Sequence, residues 1–383
     1  MRKKLGVMKH ICSLILLICL LLPSAGQADS MTSIRQLREQ LPEQWNQTYQ
    51  AKGREINVSV SPFVPDVDSL PGHKVMIDLS VPDVSILGEA SKSTINDTGI
   101  FIIEIGDYFQ NESKANKNTQ NEDTKTYNYY PPFDGSQLYV QNNPLHLGEA
   151  ISKFATIMDS IDYGDWRHEW PRSLSVNVTT DKKTGAVNRI GGYSISFLQM
   201  LNNIPILGHV FDGIDGYSDG YMSFFPSILY QLLTYDSITM GGYKVTSIAT
   251  IADDIPVIDF STIKQSIEKE IEDGHIRKIF DVELGYALYN EPGAIRTVSD
   301  LSWLKDAVFY ALPVWAVNCH YVDNPAKELR DYSGWDVEER AVMEYKTVLI
   351  NAQTGKVIDR NYNRTDAADY PGFITWEEAG GRP

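Results

Sequence analysis

The stretch from Asp259 to Asp359 constrains the fold most, because it reads as one amphipathic helix followed at once by strands. Its helical part has isoleucines at four-residue spacing: Ile263, Ile267 and Ile271. This spacing gives the helix a single apolar stripe. Asp259 or Ser261 can cap the start of the helix, and Gly274 can end it. The stripe therefore needs an apolar partner surface.

The residues after this helix supply such a partner. Three runs are rich in β-branched and aromatic residues, as is typical of strands: 276–289, 309–322 and 345–358. Gln353-Thr354-Gly355-Lys356 has the composition of a turn between two short strands. We therefore predict that the isoleucine stripe packs on an antiparallel sheet.

Short motifs in the same stretch carry a family resemblance. They are Gly274-His275-Ile276, Val282–Tyr286, Leu312–Val317 and Leu349–Asp359. Together they resemble a PepSY-type module, which occurs in secreted peptidase propeptides and in extracytoplasmic regulators of bacterial cell-wall sensor kinases. The matching motifs are structural, so the resemblance implies a fold and a compartment more than an activity.

A similar pattern precedes this stretch. Helical spacing from Leu147 to Ile161 is followed by strand-like runs as far as Ile251. The run Tyr193–Gln199 and the Asn203-Ile204-Pro205-Ile206 segment resemble a passage from the same superfamily, with Asn203 where glycine is common. We interpret 145–252 and 253–362 as two diverged PepSY-like units. The predicted fold class is therefore α+β, with helices packed on antiparallel sheets.

The rest of the chain divides by composition. Residues 29–109 are predicted as an N-terminal helix, from Ser30 to Lys52, and a β-rich region. Residues 110–130 are rich in Asn, Lys, Glu and Thr and are predicted as a flexible polar loop. Residues 363–383 are predicted as a tail.

Residues 1–28 predict a signal peptide. A basic start at Arg2, Lys3 and Lys4 precedes the apolar run Ile11–Leu22, and small residues then suit cleavage after about Ala28. The apolar run is short for a transmembrane helix, so we expect release into the extracytoplasmic envelope or secretion. Membrane contact is expected only if this segment is retained as an anchor.

Cysteine usage and charge narrow the chemistry. Cys12 and Cys19 leave with the signal peptide, which leaves Cys319 without an intrachain disulfide partner. The formal net charge is -16, which argues against nucleic acid or an anionic bilayer as the partner and permits a cationic one.

The loop 212–220 carries the strongest chemical signals. Ser218 lies in a Gly-x-Ser-x-Gly sequence, but a strand-like run follows where a nucleophile elbow needs a helix. Asp212, Asp215 and Asp219 could offer oxygen ligands to calcium, although their spacing is not that of an EF-hand. A solvated turn is the simpler interpretation of these residues, and we favour it.

The histidines do not form a recognisable catalytic or metal pair. His168-Glu169 lacks the second histidine of a zincin helix, and His275 suits the end of the predicted helix. Cys319 and His320 are neighbours in a strand, so their side chains should point to opposite faces. We therefore predict no catalytic, cofactor-binding or metal-binding residue, and no cofactor.

The resemblance implies a secreted, non-enzymatic protein that binds or restrains an extracytoplasmic protein or peptide, such as a peptidase or a sensor ectodomain. An exposed sheet edge or strand loop could occupy a groove of that partner. One alternative is a hydrolase that uses the 212–220 loop. Another is a calcium- or glycan-binding surface protein, since 21 tyrosines and 7 tryptophans could line a groove.

Overall fold

The computed structural model describes the following residues: 31–87, 91–95, 101–106, 123–129, 147–161, 164–167, 173–180, 187–210, 228–234, 237–290, 305–322, 325 and 343–359. Within these ranges the chain is mostly strand, with nineteen strands and three α-helices. None of the helices in the described part is long and apolar enough to cross a membrane. The predicted signal peptide, the 212–220 loop and the predicted tail lie outside the described residues.

The helices are α1 (Ile34–Gln40), α2 (Leu147–Ile161) and α3 (Phe260–Glu272), and Ser85–Leu87 forms a 3-10 turn. The strands of the first part of the chain are β1 (Met31–Thr32), β2 (Trp45–Ala51), β3 (Arg54–Val60), β4 (Gly72–Asp78), β5 (Ser91–Ile95), β6 (Phe101–Gly106), β7 (Asp123–Tyr129), β8 (Trp166–Arg167) and β9 (Ser173–Thr180). The later strands are β10 (Val187–Leu201), β11 (Ile204–Val210), β12 (Ile228–Thr234), β13 (Ser237–Gly242), β14 (Lys244–Ala252), β15 (Val257–Ile258), β16 (Ile276–Asn290), β17 (Val308–Val322), β18 (Met343–Asn351) and β19 (Val357–Asp359).

Fifteen of the described strands form one sheet. Its main path is β14-β4-β17-β16-β11-β10-β12-β13-β6-β5. β18 pairs with β17 and carries β19, while β8 and β9 pair with β10 and β7 pairs with β9. The strand pairs are antiparallel except β11 with β16, which is parallel. β2 and β3 form a separate hairpin, and β1 pairs with β15.

The predicted α+β class is wrong, because the described residues are mostly β-sheet. The apolar runs were expected to form two separate layers of helix on sheet. They form long strands instead, such as β10, β16 and β17. Strands from different parts of the chain then pair with one another. β4 lies between β14 and β17, and β11 pairs with β16 across the predicted unit boundary. The boundaries at 145–252 and 253–362 stay predictions.

Two local predictions in the first part of the chain also need correction. The N-terminal helix ends at Gln40, and Leu41 has an extended conformation with ψ 137°. Leu41 precedes Pro42, and the proline ring disfavours a helical conformation in the residue before it. Asp123–Tyr129, predicted as part of a flexible loop, forms β7 and pairs with β9. Its threonines and tyrosines favour a strand, even though the surrounding residues have the polar composition of a loop.

The prediction of α3 is confirmed. The Asp259 side chain caps the helix by accepting a hydrogen bond from the Thr262 backbone N–H at 3.1 Å. Gly274 follows the helix with φ +87°, a conformation that favours glycine. The isoleucine stripe is fully buried, and the Phe260 ring lies 5.2 Å from that of Trp315 on β17.

The core lies on both faces of β16 and β17. The face towards α3 contains the isoleucine stripe together with Trp315, Val317 and Cys319. The opposite face has a smaller cluster: Leu198, Leu207, Ala287, Val314, Ala316 and Leu349. Since β17 is covered on both sides, almost every residue along it is buried.

Candidate functional site

Most of the residues singled out in the sequence lie outside the part of the chain that the structure describes. The 212–220 loop with Ser218, Asp212, Asp215 and Asp219, and the His168-Glu169 pair, lie outside the described residues. Within the described ranges, no group of three or more His, Cys, Asp and Glu side chains could hold a metal ion. The candidate site described below is formed by other residues.

Cys319 and His320 are separated by the strand geometry, as predicted. Cys319 is fully buried in the core on the α3 side, and this burial raises the pKa of its thiol. The His320 ring packs edge-on against Phe280, with ring centroids 4.7 Å apart. Burial, with a smaller effect of Lys278, lowers the pKa of His320 to about 4. The two side chains cannot act as a nucleophile and its base.

His275 has the structural role expected at a helix end. Its backbone N–H donates to the Glu270 carbonyl at 2.9 Å, which satisfies one of the last carbonyls of α3. The ring donates from Nδ1 to the Val322 carbonyl at 2.8 Å and stacks on Tyr321. These contacts fasten α3 to the end of β17.

A buried polar row crosses the face opposite α3. Arg167 donates to Glu283 at 2.6 Å, and both side chains are almost fully buried. Next to this pair, Asn318 donates to Asp281, and Thr347 donates to Asn318 at 2.5 Å. The row links β8, β16, β17 and β18, and its burial points to a role in strand register.

The sheet curls so that β14, the first strand of its path, lies beside β10, the sixth. Gln199 of β10 joins them: its Nε2 donates to the Val245 carbonyl at 3.0 Å and its Oε1 accepts from the Val245 N–H at 3.1 Å. Gln199 is only 1% exposed. The side-chain amide thus makes the two hydrogen bonds to the Val245 backbone that a neighbouring antiparallel strand would make. We call this contact, together with Asn202, His73 and Ser247, the seam.

His73 connects three elements at the seam. Its Nδ1 lies 3.0 Å from Ser247 Oγ on β14, and its Nε2 lies 3.1 Å from Asn202 Nδ2. Asn202 and Asn203 form the turn between β10 and β11, with φ of 54° and 63°. Asparagine is one of the few residues that adopts this left-handed conformation readily. The side chains of a serine, a histidine and an asparagine therefore meet in a chain.

The electrostatics of the seam favour a neutral imidazole. His73 is 3% exposed, and burial lowers its pKa. As placed, Asn202 Nδ2 faces Nε2, so Nε2 accepts from this amide and Nδ1–H donates to Ser247. Turning the Asn202 amide by 180° puts Oδ1 at the same position; Nε2–H then donates to Oδ1, and Ser247 donates to Nδ1.

Beyond the seam, β14 presents an open edge. Its inner side pairs with β4, and no other described strand pairs with its outer side. Ile248 is 47% exposed, and Ala249 and Thr250 are also exposed. The run 245–252 contains no charged residue and no proline. It therefore lacks the lysines and prolines that usually protect an edge strand, although its pairing with β4 shifts register between Ser247 and Ala249 and between Thr250 and Ala252.

Sequence reasoning missed the seam because its residues are far apart in the chain and follow no motif. One signal was available: apart from Lys244, residues 244–252 are all β-branched or small, and none of them is charged. That pattern identifies a strand. Whether the strand lies at an edge depends on long-range pairing that local composition does not contain.

Comparisons with known proteins identify no family. No protein-family model matches the sequence, and no curated protein matches it. A search of solved structures matches an uncharacterized protein from Eubacterium rectale, determined by crystallography, at 10% sequence identity and a TM-score of 0.47. The match covers 86% of this chain and 99% of that chain. The PepSY resemblance stays a prediction.

Proposed function

We propose that the protein binds an extended segment of another extracytoplasmic protein, which adds as a strand to the outer edge of β14 from Ser247 to Ala252. The observation that carries this proposal is a change in backbone hydrogen bonding along the outer edge of β14. At Val245 the outward N–H and C=O are bonded to Gln199. Past Ser247, no described strand pairs with the outward backbone groups of β14. In strand addition, backbone hydrogen bonds give affinity and side-chain contacts give specificity.

β14 suits this role better than the other edge strands. β5 carries Lys92, β7 carries Asp123 and Lys125, and β19 has three residues. Charged side chains and short length both discourage pairing at an edge. β14 has nine residues, and its single charge, Lys244, bonds to Asp78 at 3.3 Å. A partner strand can therefore lie along the run after Lys244 without meeting a charge.

The chemistry of the edge indicates the chemistry of the partner. An uncharged, β-branched surface favours an extended segment that is itself uncharged and β-branched. Asp253 is exposed directly after β14, and the chain has a net charge of -16. A basic residue at one end of the bound segment would be attracted to this acidic surface. The partner class is a neutral or basic extended peptide.

Binding can be measured with a defined probe. A fluorescent peptide of alternating threonine and valine that ends in lysine is titrated with the purified full chain, and its anisotropy reports binding. We expect Ile248→Lys to weaken binding at least about tenfold, because a lysine on an edge strand hinders pairing. Ile86→Lys is the matched control, because Ile86 is 62% exposed on the 3-10 turn.

Equal weakening by both lysine variants would indicate a nonspecific apolar or charge effect and would overturn the proposal. No binding to the unmodified chain would overturn it as well. If the chain formed concentration-dependent dimers that dissociate in the Ile248→Lys variant, the edge would instead bind a second copy of this chain.

A further inference from the structure

We infer that the seam is also an acyl-transfer site, in which Ser247 is the nucleophile, His73 its general base and Asn202 the residue that positions the base. The inference goes beyond strand binding and rests on the proposed function only for the source of the substrate, an extended peptide or ester that lies along β14. The acylation chemistry itself does not require the peptide to bind.

The geometry of the three side chains supports these roles. An activated serine needs a base within hydrogen-bond reach and a third group that orients the base. Ser247 Oγ lies 3.0 Å from Nδ1 of His73, and Asn202 lies 3.1 Å from Nε2. The Tyr286 ring packs edge-on against the imidazole at 6.0 Å and limits its rotation. With the Asn202 amide turned so that Oδ1 accepts from Nε2–H, Nδ1 is free to accept the Ser247 proton, and the imidazole is an oriented, neutral base.

Each member comes from a different element, so the fold holds the group together. His73 comes from β4, Ser247 from β14 and Asn202 from the β10–β11 turn. The pairing of β14 with β4 shifts register directly after Ser247, as it does at a β-bulge. Bulges redirect side chains and occur often beside active sites. Ser247 is partly exposed while His73 is buried, so the hydroxyl is the member that a substrate reaches.

The proposed reaction is an ordinary two-step acyl transfer. Ser247 Oγ bonds to the carbonyl carbon of an ester or amide as its proton passes to Nδ1 of His73. The bond from that carbon to the leaving group breaks, and His73 returns the proton to the leaving group. Water then attacks the acyl-serine with His73 as base, which releases the acid and restores the Ser247 hydroxyl.

A fluorophosphonate probe tests the nucleophile on the full chain without any peptide. The serine oxygen bonds to phosphorus, fluoride leaves, and the serine proton passes through His73 to solvent. We expect a single label, mapped to Ser247 by mass spectrometry and absent in Ser247→Ala. His73→Gln should slow labelling by about 10²–10⁴-fold, the usual contribution of a general base. Ser261→Ala is the control, because Ser261 is exposed but bonded to Asp259 and not to histidine.

The role of Asn202 is tested separately. This test also checks the proposed acyl-transfer site if the His73→Gln variant fails to fold. Asn202→Gly keeps the left-handed turn but removes the hydrogen bond to Nε2, so labelling should slow. Asn202→Asp restores an acceptor for Nε2–H and should recover the rate, which a purely structural role would not require. The inference would be overturned if Ser247 were not labelled or if another serine were labelled. It would also be overturned if the labelling rate were the same in both Asn202 variants as in the unmodified chain. The Ile248→Lys variant should still be labelled, so failure of peptide binding and failure of acylation are distinguishable.

Discussion

At the scale of single residues, burial decides the protonation state of two described histidines. Burial lowers the pKa of both His73 and His320, so each imidazole is neutral at neutral pH. His73 can therefore act as a hydrogen-bond acceptor at the seam. His320 packs against Phe280 and has no such arrangement with Cys319.

His320 gives a prediction about stability and pH. Its pKa is about 4 in the folded chain, against 6.5 for an unperturbed histidine. The unfolded chain binds this proton first, so stability is lost as pH falls from 6.5 to 4. At about 1.4 kcal/mol per pKa unit, the group accounts for about 2 kcal/mol of lost unfolding free energy between pH 7 and pH 5. Urea denaturation of His320→Gln should show a smaller loss over that range. An unchanged loss would contradict the assignment.

Cys319 gives a second prediction at this scale. Its thiol is fully buried and its pKa is raised, so little thiolate forms and reagents cannot reach it. Iodoacetamide at pH 8 should leave Cys319 unmodified in the folded chain and modify it in urea. Peptide mapping separates this site from Cys12 and Cys19. Rapid modification in the folded state would show that the core around β17 is open.

At the scale of elements, the sequence predicts what local periodicity encodes. The spacing of three isoleucines, a capping aspartate and a terminal glycine identified α3, and each feature has its expected place. The N-terminal helix was predicted too long, since a proline effect at Leu41 ended an otherwise continuous apolar stripe. Local signals thus identify elements better than they identify the layers into which the elements assemble.

The parallel contact between β11 and β16 depends on a glycine. A Cβ at Gly285 would lie 2.4 Å from the Pro205 carbonyl oxygen, closer than any real contact. Gly285→Ala must therefore push β11 from β16, and we expect a loss of about 1–3 kcal/mol in unfolding free energy. Gly53→Asn is the control, because nothing lies within 4 Å of a Cβ there and asparagine tolerates positive φ. Chemical denaturation compares the two, and equal effects would contradict the close approach.

At the scale of the whole molecule, the candidate site arises from the path of the sheet. Residues 73, 199, 202 and 247 meet because β4 inserts between β14 and β17 and the sheet curls back to β10. No spacing in the sequence encodes such a meeting. The Gly216–Gly220 motif was conspicuous in the sequence, whereas the Ser247–His73 contact became visible only with the strand order.

The seam itself can be tested through Gln199. Its amide bonds to both outward groups of Val245, whereas the Thr246 N–H faces β4. Gln199→Ala should raise the exchange rate of the Val245 amide by about tenfold, the equivalent of one net hydrogen bond. The Thr246 amide should keep its rate. Exchange measured by NMR distinguishes the two, and equal acceleration would mean that β14 as a whole had loosened.

Strand addition at β14 is tested most directly by amide exchange at Ser247 in the presence of the threonine–valine peptide. Ser247 has the same strand parity as Val245, so its N–H points away from β4. Saturating peptide should slow exchange at Ser247 in the unmodified chain and in Ile86→Lys, but not in Ile248→Lys, while Thr246 stays unchanged. Bound peptide that leaves Ser247 exchange unaltered, or protects β5 instead, would contradict strand addition at β14.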